Sequence, residues 1–95
     1  MKVILNQQVK IEEDSFPHFW NKEYEHNVIP RKGDFVEDSL WKEPGEYEVT
    51  EVTINYQENY CYVSLEKYSY EIPANRKDEY DQIANLHGWK TSWRR

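Results

Sequence analysis

The chain has 95 residues, and its 12 lysines and arginines stand against 18 aspartates and glutamates, which gives a formal net charge of −6. A chain of this length predicts one domain, residues 1–95, near the lower limit for a self-sufficient hydrophobic core. The negative charge argues against a general nucleic-acid binder, because such proteins neutralise phosphates with clustered basic residues.

The first segment, "MKVILNQQVKIEED", predicts a strand, or two short strands with a break near Asn6 and Gln7. Its apolar residues share one parity, which places them on one face of the strand: Val3, Leu5, Val9 and Ile11. The following "SFPHFWNKEYEHN" has no clean period and contains Pro17. We therefore expect a structured loop over residues 15–27.

The stretch "VIPRKGDFVEDSLW", residues 28–41, predicts a turn that leads into a strand. Pro30 favours extended backbone in the residue before it, and Gly33 accommodates a positive φ. The strand is expected to begin at Phe35. A phosphate-binding loop needs several glycines ahead of a helix, whereas this motif has one glycine ahead of a strand, so "RKGD" is interpreted as a turn.

Two further strands are predicted to form a hairpin. In "EYEVTEVTINY" the apolar parity changes between Thr50 and Glu51, which indicates a β-bulge or a sharp bend. A short polar connection leads to "YCYVSLEKYSYEI", where Cys61, Val63 and Leu65 are expected on one face and the tyrosines on the other.

The segment "NRKDEYDQIANLHG" predicts a helix over about residues 76–87, with Asn75 as N-cap and Gly88 as the stop. Helical spacing places four residues on one face, with Leu86 beside them: Tyr80, Ile83, Ala84 and His87. The predicted fold class is α+β, mainly β. It consists of a small curled antiparallel sheet or SH3-like barrel with one C-terminal helix.

The pattern "IPRKGDFV", then "YEVTEV", then "YCYVSLE" resembles the short SH3-like barrel proteins of phages and mobile elements, over residues 28–66. In that family a Pro-x-x-Gly-Asp turn opens the first barrel strand, and a valine-rich bent strand follows. The resemblance implies an SH3-like fold and a phage-type setting. An inhibitor or adaptor directed at a host protein is the form of function that this setting implies.

No pattern of catalytic, metal-binding or cofactor-binding residues is recognised. Cys61 lies mid-strand on an apolar face, and no serine sits in a Gly-x-Ser-x-Gly turn. His18, His26 and His87 lack the spacing of metal ligands. We therefore expect a protein that is not an enzyme and uses no metal or cofactor. The single cysteine and the absence of a signal-like or membrane-spanning apolar run predict a cytoplasmic location.

Acidic residues concentrate between residues 34 and 58, where eight carboxylates accompany one cation, Lys42. We predict a partner-binding surface formed by this acidic strand and neighbouring aromatic residues: Trp41, Glu46, Glu48, Tyr60 and Tyr62. One alternative is that the acidic residues form a charged face that only aids solubility and protects the sheet edge. Another is that the tyrosines pack in the core.

The C-terminal "WKTSWRR", residues 89–95, is the one cationic cluster of the sequence. It is interpreted as a flexible basic tail, as a segment anchored on its own barrel, or as an interaction hot spot for a partner or a second copy of the chain. The residues assigned to this tail interaction are Trp89, Trp93, Arg94 and Arg95.

The favoured function is protein–protein recognition, with a basic nucleic-acid-binding protein as one class of partner and homo-oligomerisation left open. Membrane binding and direct nucleic-acid binding are disfavoured by the negative charge. One alternative is a nucleic-acid-associated module that uses Arg31, Lys32 and the Trp/Arg tail. A second is a small enzyme or ligand-binding protein, which requires a deep pocket with convergent polar groups.

Overall fold

The structure, a computed structural model, describes residues 1–14, 16, 18–38, 45–68 and 71–92. Its strands are β1 (Lys2–Val9), β2 (His18–Glu25), β3 (Phe35–Val36), β4 (Tyr47–Asn55), β5 (Tyr60–Leu65) and β6 (Lys90–Ser92). A 3-10 turn, Ala74–Arg76, leads into one short helix, α1 (Lys77–Leu86). The predicted architecture of a curled, mainly β sheet with a C-terminal helix is confirmed at this level.

The six strands form one sheet in the order β3-β4-β5-β1-β2-β6. The prediction of an antiparallel sheet is correct for every strand pair except β1 and β5, which run parallel. β5 is the fourth strand after β1, and each step along the chain reverses direction, so the two strands point the same way. The intervening β2, β3 and β4 provide the long connection that a parallel pair requires.

In the N-terminal third, one prediction is confirmed and one is wrong. Of the two alternatives for the first segment, the single strand is correct, because β1 continues through Asn6, which is paired with Asn21 of β2 on one side and with Ser64 of β5 on the other. Residues 18–25, predicted as part of a loop, form β2. The sequence of this strand does not alternate between apolar and polar residues. The charged Lys22 lies on the same face as the buried Trp20, whereas the aromatic Phe19 lies on the opposite face.

The sheet has two faces that alternate along each strand. The inner face carries the core, to which α1 and the chain around it also contribute: Val3, Leu5, Val9, Ile11, Trp20, Val49, Cys61, Val63, Leu65, Ile72, Ala84 and Trp89. The outer face carries the alternate positions, with these central members: Ile4, Asn6 and Gln8 of β1, Phe19 and Asn21 of β2, and Tyr60, Tyr62 and Ser64 of β5. The predicted inward orientation of the apolar β1 and β5 residues is confirmed.

The "RKGD" segment is a turn, as predicted. Gly33 has φ +94°, and its N–H donates to the Val49 carbonyl at 2.9 Å. The Val49 N–H donates in return to the Asp34 carbonyl at 2.8 Å. The Asp34 side chain also accepts from the Arg31 N–H at 2.8 Å, which closes the turn. The turn therefore aligns β3 with β4.

The helix starts differently from the prediction and ends as predicted. Arg76, rather than Asn75, occupies the N-cap position, and no side chain caps the helix there, because the 3-10 turn enters α1 directly. Gly88 has φ +85° just after the helix, and Ala84 is the buried helical residue. Leu86 is 81% exposed, so it does not extend the packed face. No helix within the described residues is long and apolar enough to span a membrane.

The interpretation of residues 89–95 as a flexible tail is wrong for residues 89–92. Trp89 is fully buried in the core, and its backbone N–H donates to the Ala84 carbonyl at 3.0 Å. β6 then pairs with β2, so this segment is an edge of the sheet. The alternative in which a tryptophan anchors the segment on its own fold therefore holds for Trp89. The other residues assigned to the tail interaction, Trp93, Arg94 and Arg95, lie outside the described residues.

Replacing Trp89 tests its role in the core. We expect Trp89→Ala to lower the free energy of unfolding by about 3–5 kcal/mol, because it removes a large, fully buried side chain. The exposed Leu86 provides the control, and Leu86→Ala should change the stability by less than about 0.5 kcal/mol. Urea unfolding followed by circular dichroism measures both. Equal stabilities for the two variants would show that Trp89 is not a core residue.

The interactions of the Asp14 carboxylate predict how the stability of the fold depends on pH. This carboxylate accepts from the Phe16 N–H at 3.0 Å and lies 2.7 Å from His18 Nε2, and these two interactions hold the pKa of Asp14 below its usual value. A carboxylate whose pKa is lower in the folded state than in the unfolded state stabilises the fold at pH values above its unfolded-state pKa. This stabilisation is lost as the pH falls through the folded-state pKa. Asp14→Asn should therefore be less stable than wild type at neutral pH, with a difference that narrows between about pH 5 and pH 2. Thermal melts across this range test the prediction, and a constant difference would contradict it.

Candidate functional site

The predicted partner-binding surface is only partly assembled. Glu46, just before β4, and Glu48, near its start, are exposed, and Tyr60 is half-buried on the outer face. Tyr62 is only 5% exposed, so its ring is packed and does not form an exposed platform. For Tyr62 the alternative of a packed tyrosine is correct. Trp41 lies outside the described residues.

Four exposed carboxylates form what we call the acidic patch: Glu46, Glu48, Glu51 and Glu66. The Glu66 N–H donates to the Glu48 carbonyl at 2.8 Å, and the Glu66 carboxylate accepts from the Glu48 N–H at 3.0 Å. These hydrogen bonds bring Glu48 and Glu66 together, although the two residues are 18 positions apart in the sequence.

A β-bulge explains why the acidic patch lies on one face. Positions 48 and 51 have opposite parity and would lie on opposite faces of a regular strand. The register shifts between Val49 and Glu51, which inserts Thr50 as an extra residue. Val49 consequently faces the core, while Glu48 and Glu51 both lie on the outer face. The bulge predicted from the parity change is confirmed.

Next to the acidic patch lies a polar cavity of about 290 Å³, which we call the outer-face cavity. Its walls come from four strands and the chain after β5: Asn6 and Gln8, Phe19, Thr50 and Glu51, Ser64 and Leu65, and then Glu66 and Lys67. Sequence analysis missed Asn6, Gln8 and Phe19, because pairing across strands decides which of them meet. The only local signal was the polar pair at Asn6 and Gln7 within an apolar run.

Asn6 lines this cavity and is 4% exposed. Its Oδ1 atom is buried and has no hydrogen-bond partner among the described residues. A buried acceptor without a partner costs about 1–3 kcal/mol, so the strand retains a polar residue where an apolar one would be more stable. Asn21, the register partner of Asn6 on β2, also has a buried Oδ1 without a partner.

Charged residues of both signs line the outer-face cavity. Glu51 and Glu66 contribute carboxylates, whereas Lys67 contributes one ammonium group. The Thr50 hydroxyl is occupied, because it donates to the Ser64 carbonyl at 3.2 Å. The half-buried Phe19 ring provides an apolar wall. Charged, polar and apolar groups therefore meet in this cavity.

A second cavity, of about 320 Å³, lies on the inner face and is lined mainly by apolar side chains such as Val3, Leu5 and Val36. Asp38 closes one side of it, with Lys22 Nζ 3.3 Å from Asp38 Oδ2 and the Tyr24 hydroxyl donating to the same carboxylate. This groove offers hydrophobic contact and few hydrogen bonds.

The Lys22, Tyr24 and Asp38 cluster does not have the properties of a catalytic base. Burial raises the pKa of Tyr24, and the hydrogen bond to Asp38 acts in the same direction. Burial opposes the charged form of Lys22, but the contacts with Tyr24 and Asp38 outweigh it and raise the pKa of Lys22. Lys22 therefore stays charged and links β2 to the chain that follows β3.

The remaining candidate groups show no catalytic or metal-binding arrangement among the described residues. Burial raises the pKa of the Cys61 thiol, which disfavours the nucleophilic thiolate. No three histidine, cysteine or acidic side chains in this part of the chain gather as metal ligands do. Arg31 and Lys32 are exposed in the turn before β3. Of the tail residues assigned with them to nucleic-acid binding, Trp89 is buried in the core, and Trp93, Arg94 and Arg95 are outside the described ranges.

The chain was compared with protein-family models, with curated proteins and with solved structures, and none of them matches it. The site is therefore interpreted from its own geometry and chemistry.

Replacing Asp38 tests the link to β2. We expect Asp38→Asn to lower the free energy of unfolding by about 1–2 kcal/mol at neutral pH, because the half-buried Lys22 ammonium loses its counter-charge. A lysine whose pKa is raised in the folded state stabilises the fold at pH values below its unfolded-state pKa. The difference in stability between Asp38→Asn and wild type should therefore shrink above about pH 10.5. Tyr24→Phe, which keeps the ion pair, should have a smaller effect. A stability of Asp38→Asn equal to that of wild type would show that the ion pair does not hold this segment.

Proposed function

We propose that this protein is a non-enzymatic cytoplasmic binding module that recognises a basic segment of another protein through the acidic patch. The observation that carries the proposal is the concentration of exposed carboxylates on one face of the sheet. Among the residues that the structure describes, Glu46, Glu48 and Glu66 form no ion pair with a cation. These three carboxylates are available to attract a positively charged partner.

Electrostatics support a protein partner over nucleic acid. A chain with net charge −6 and a patch of carboxylates repels phosphates, whereas it accelerates the association of a basic protein. The negative charge of the patch also repels acidic proteins, which makes binding specific for basic partners. A basic nucleic-acid-binding protein is the partner class that fits these properties.

The fold assignment and the biological setting belong to the same proposal. We assign residues 28–66 to an SH3-like arrangement, supported by the Gly33 turn, the bulged β4 and the hairpin to β5. The resemblance of this segment to phage and mobile-element proteins supports an inhibitor or adaptor of a host protein as the concrete form. The single free cysteine, Cys61, supports the cytoplasmic location.

Charge reversal tests the acidic patch. Wild-type protein should recover one protein in near-stoichiometric amount from a nuclease-treated lysate of the source cell or its host. Glu48→Lys combined with Glu51→Lys should reduce this recovery at least about tenfold, because it turns attraction into repulsion. The recovery by wild type should also fall as salt is raised, because the exposed charges are screened.

The matched control makes the same change in charge outside the acidic patch, as Glu12→Lys combined with Glu71→Lys. Both residues are exposed near the isolated bridge between Ile11 and Ile72. This control should recover the partner as wild type does. Equal losses in the two double variants would show that overall charge, rather than the acidic patch, drives binding. A partner retained by both would contradict the proposal.

A further inference from the structure

Part of β4 lies at an uncovered edge of the sheet. β3 pairs with β4 only at Tyr47 and Glu48, and the turn before β3 exchanges hydrogen bonds with Val49. Beyond the bulge, β4 pairs with β5 on one side, and no strand of the described residues pairs with its other side. We call residues 52–55 of β4 the open edge.

The hydrogen bonds of β5 show in which direction its backbone groups point. At one end, the Lys2 N–H of β1 donates to the Asn59 carbonyl, so residue 59 points towards β1. At the other end, the Glu66 N–H donates to the Glu48 carbonyl, so residue 66 points towards β4. The direction of the backbone groups alternates along a strand, so the even-numbered residues of β5 point towards β4.

This direction identifies the unpaired backbone groups of the open edge. Thr53 is paired with the even-numbered Tyr62, so the Thr53 N–H and C=O groups face β5. The neighbouring Val52 and Ile54 direct their N–H and C=O groups to the other side, where no described residue bonds to them. These four groups are the template on which an extended segment adds as a further strand.

The side chains of the open edge define one half of the pattern of such a segment. Val52 and Ile54 are paired with Val63 and Cys61, which are buried on the inner face. Ile54 is nevertheless 39% exposed. An added strand places every second side chain on the inner face beside these two residues, and apolar side chains suit those positions.

Charge defines the other half of the pattern. Two exposed carboxylates lie at the ends of the open edge: Glu48 on the outer face before it, and Glu58 in the turn after it. Neither forms an ion pair with a cation in the part of the chain that the structure describes. The remaining side chains of an added strand lie on the outer face, and basic residues suit them.

The same charges argue against a second copy of the chain at the open edge. Antiparallel pairing of two identical edges brings the Glu48 end of one copy to the Glu58 end of the other, and like charges across a pair of strands are destabilising. Each copy also carries a net charge of −6. A basic segment of another protein meets no such repulsion.

We propose that the partner's basic segment, with basic and apolar residues in alternation, binds in an extended conformation as an added β-strand along the open edge. The inference rests on the proposed function, since it assigns a conformation and a side-chain pattern to the basic segment that the acidic patch attracts. Backbone hydrogen bonds then supply affinity, and the alternation supplies specificity.

The test measures the binding of synthetic peptides by isothermal titration calorimetry at low salt. One peptide, acetylated and amidated Lys-Val-Lys-Val-Lys-Val-Lys, alternates basic and apolar residues. A second has the same composition in blocks, as Lys-Lys-Lys-Lys-Val-Val-Val. Wild-type protein should bind the alternating peptide at least about tenfold more tightly than the block peptide, because only the alternating peptide matches both faces of the sheet.

Methylation of the peptide backbone tests the added strand directly. Two variants of the alternating peptide carry N-methyl groups on the valines or on the lysines. An N-methyl group removes a donor that matters only where the N–H faces β4. One variant should therefore bind at least about tenfold more weakly than the unmethylated peptide, and the other should bind equally well. The weaker variant is the valine-methylated one if the strand adds antiparallel to β4, and the lysine-methylated one if it adds parallel.

A substitution in the protein tests the same hydrogen bonds. Ile54→Pro removes an N–H that points to the open edge and should weaken binding of the alternating peptide at least about tenfold. Ile54→Ala loses the same side chain but keeps the N–H, so it should bind the peptide more tightly than Ile54→Pro. Proline is tolerated at an edge where its nitrogen faces solvent, and urea unfolding checks that both variants fold. The methylated peptides with wild-type protein keep the test decisive if Ile54→Pro fails to fold.

The outcomes separate the inference from the proposed function. Equal binding of the two methylated peptides would overturn the added strand, and weakening of both by Glu48→Lys combined with Glu51→Lys would leave the acidic patch as a binding surface. A wild-type protein that sediments as a dimer, with Ile54→Pro as a monomer, would show that a second copy occupies the open edge and would also overturn the inference. Binding of none of the peptides would overturn it too, whereas the recovery of a partner from lysate decides the proposed function independently.

Discussion

β1 is paired with β2 on one side and with β5 on the other, and this double pairing determines which of its side chains meet the core. A slip of one residue would exchange the two faces of the strand. In the observed register Val3, Leu5 and Val9 are buried on the inner face, whereas Asn6 lines the outer-face cavity. The core and the candidate site therefore depend on the same pairing.

The bulge in β4 gives the outer face its charge. The extra residue, Thr50, allows Val49 to stay in the core while Glu48 and Glu51 lie on the same side of the sheet. The hairpin to β5 then brings Glu66 beside them. A local irregularity of one strand thus places acidic residues of opposite sequence parity, Glu48 and Glu51, on one surface.

The described residues make opposite contributions to the stability of the fold. Trp20 and Trp89 are buried in the core, and the half-buried Lys22 and Asp38 pair links β2 to the chain after β3. Asn6 makes the opposite contribution, because its buried oxygen lowers the stability of the strand unless a donor satisfies it.

Local patterns in the sequence determined the turn at Gly33, the β4–β5 hairpin with its bulge, the apolar faces of β1 and β5, and the helix before Gly88. Each of these depends on neighbouring residues: a positive φ, a parity change or a helical period. Only the tertiary structure decided that residues 18–25 form β2, that β1 and β5 run parallel, that Trp89 belongs to the core, and that Asn6, Phe19 and Glu66 meet in one cavity. These features depend on pairing between segments far apart in the chain, for which a local pattern of residues contains no signal.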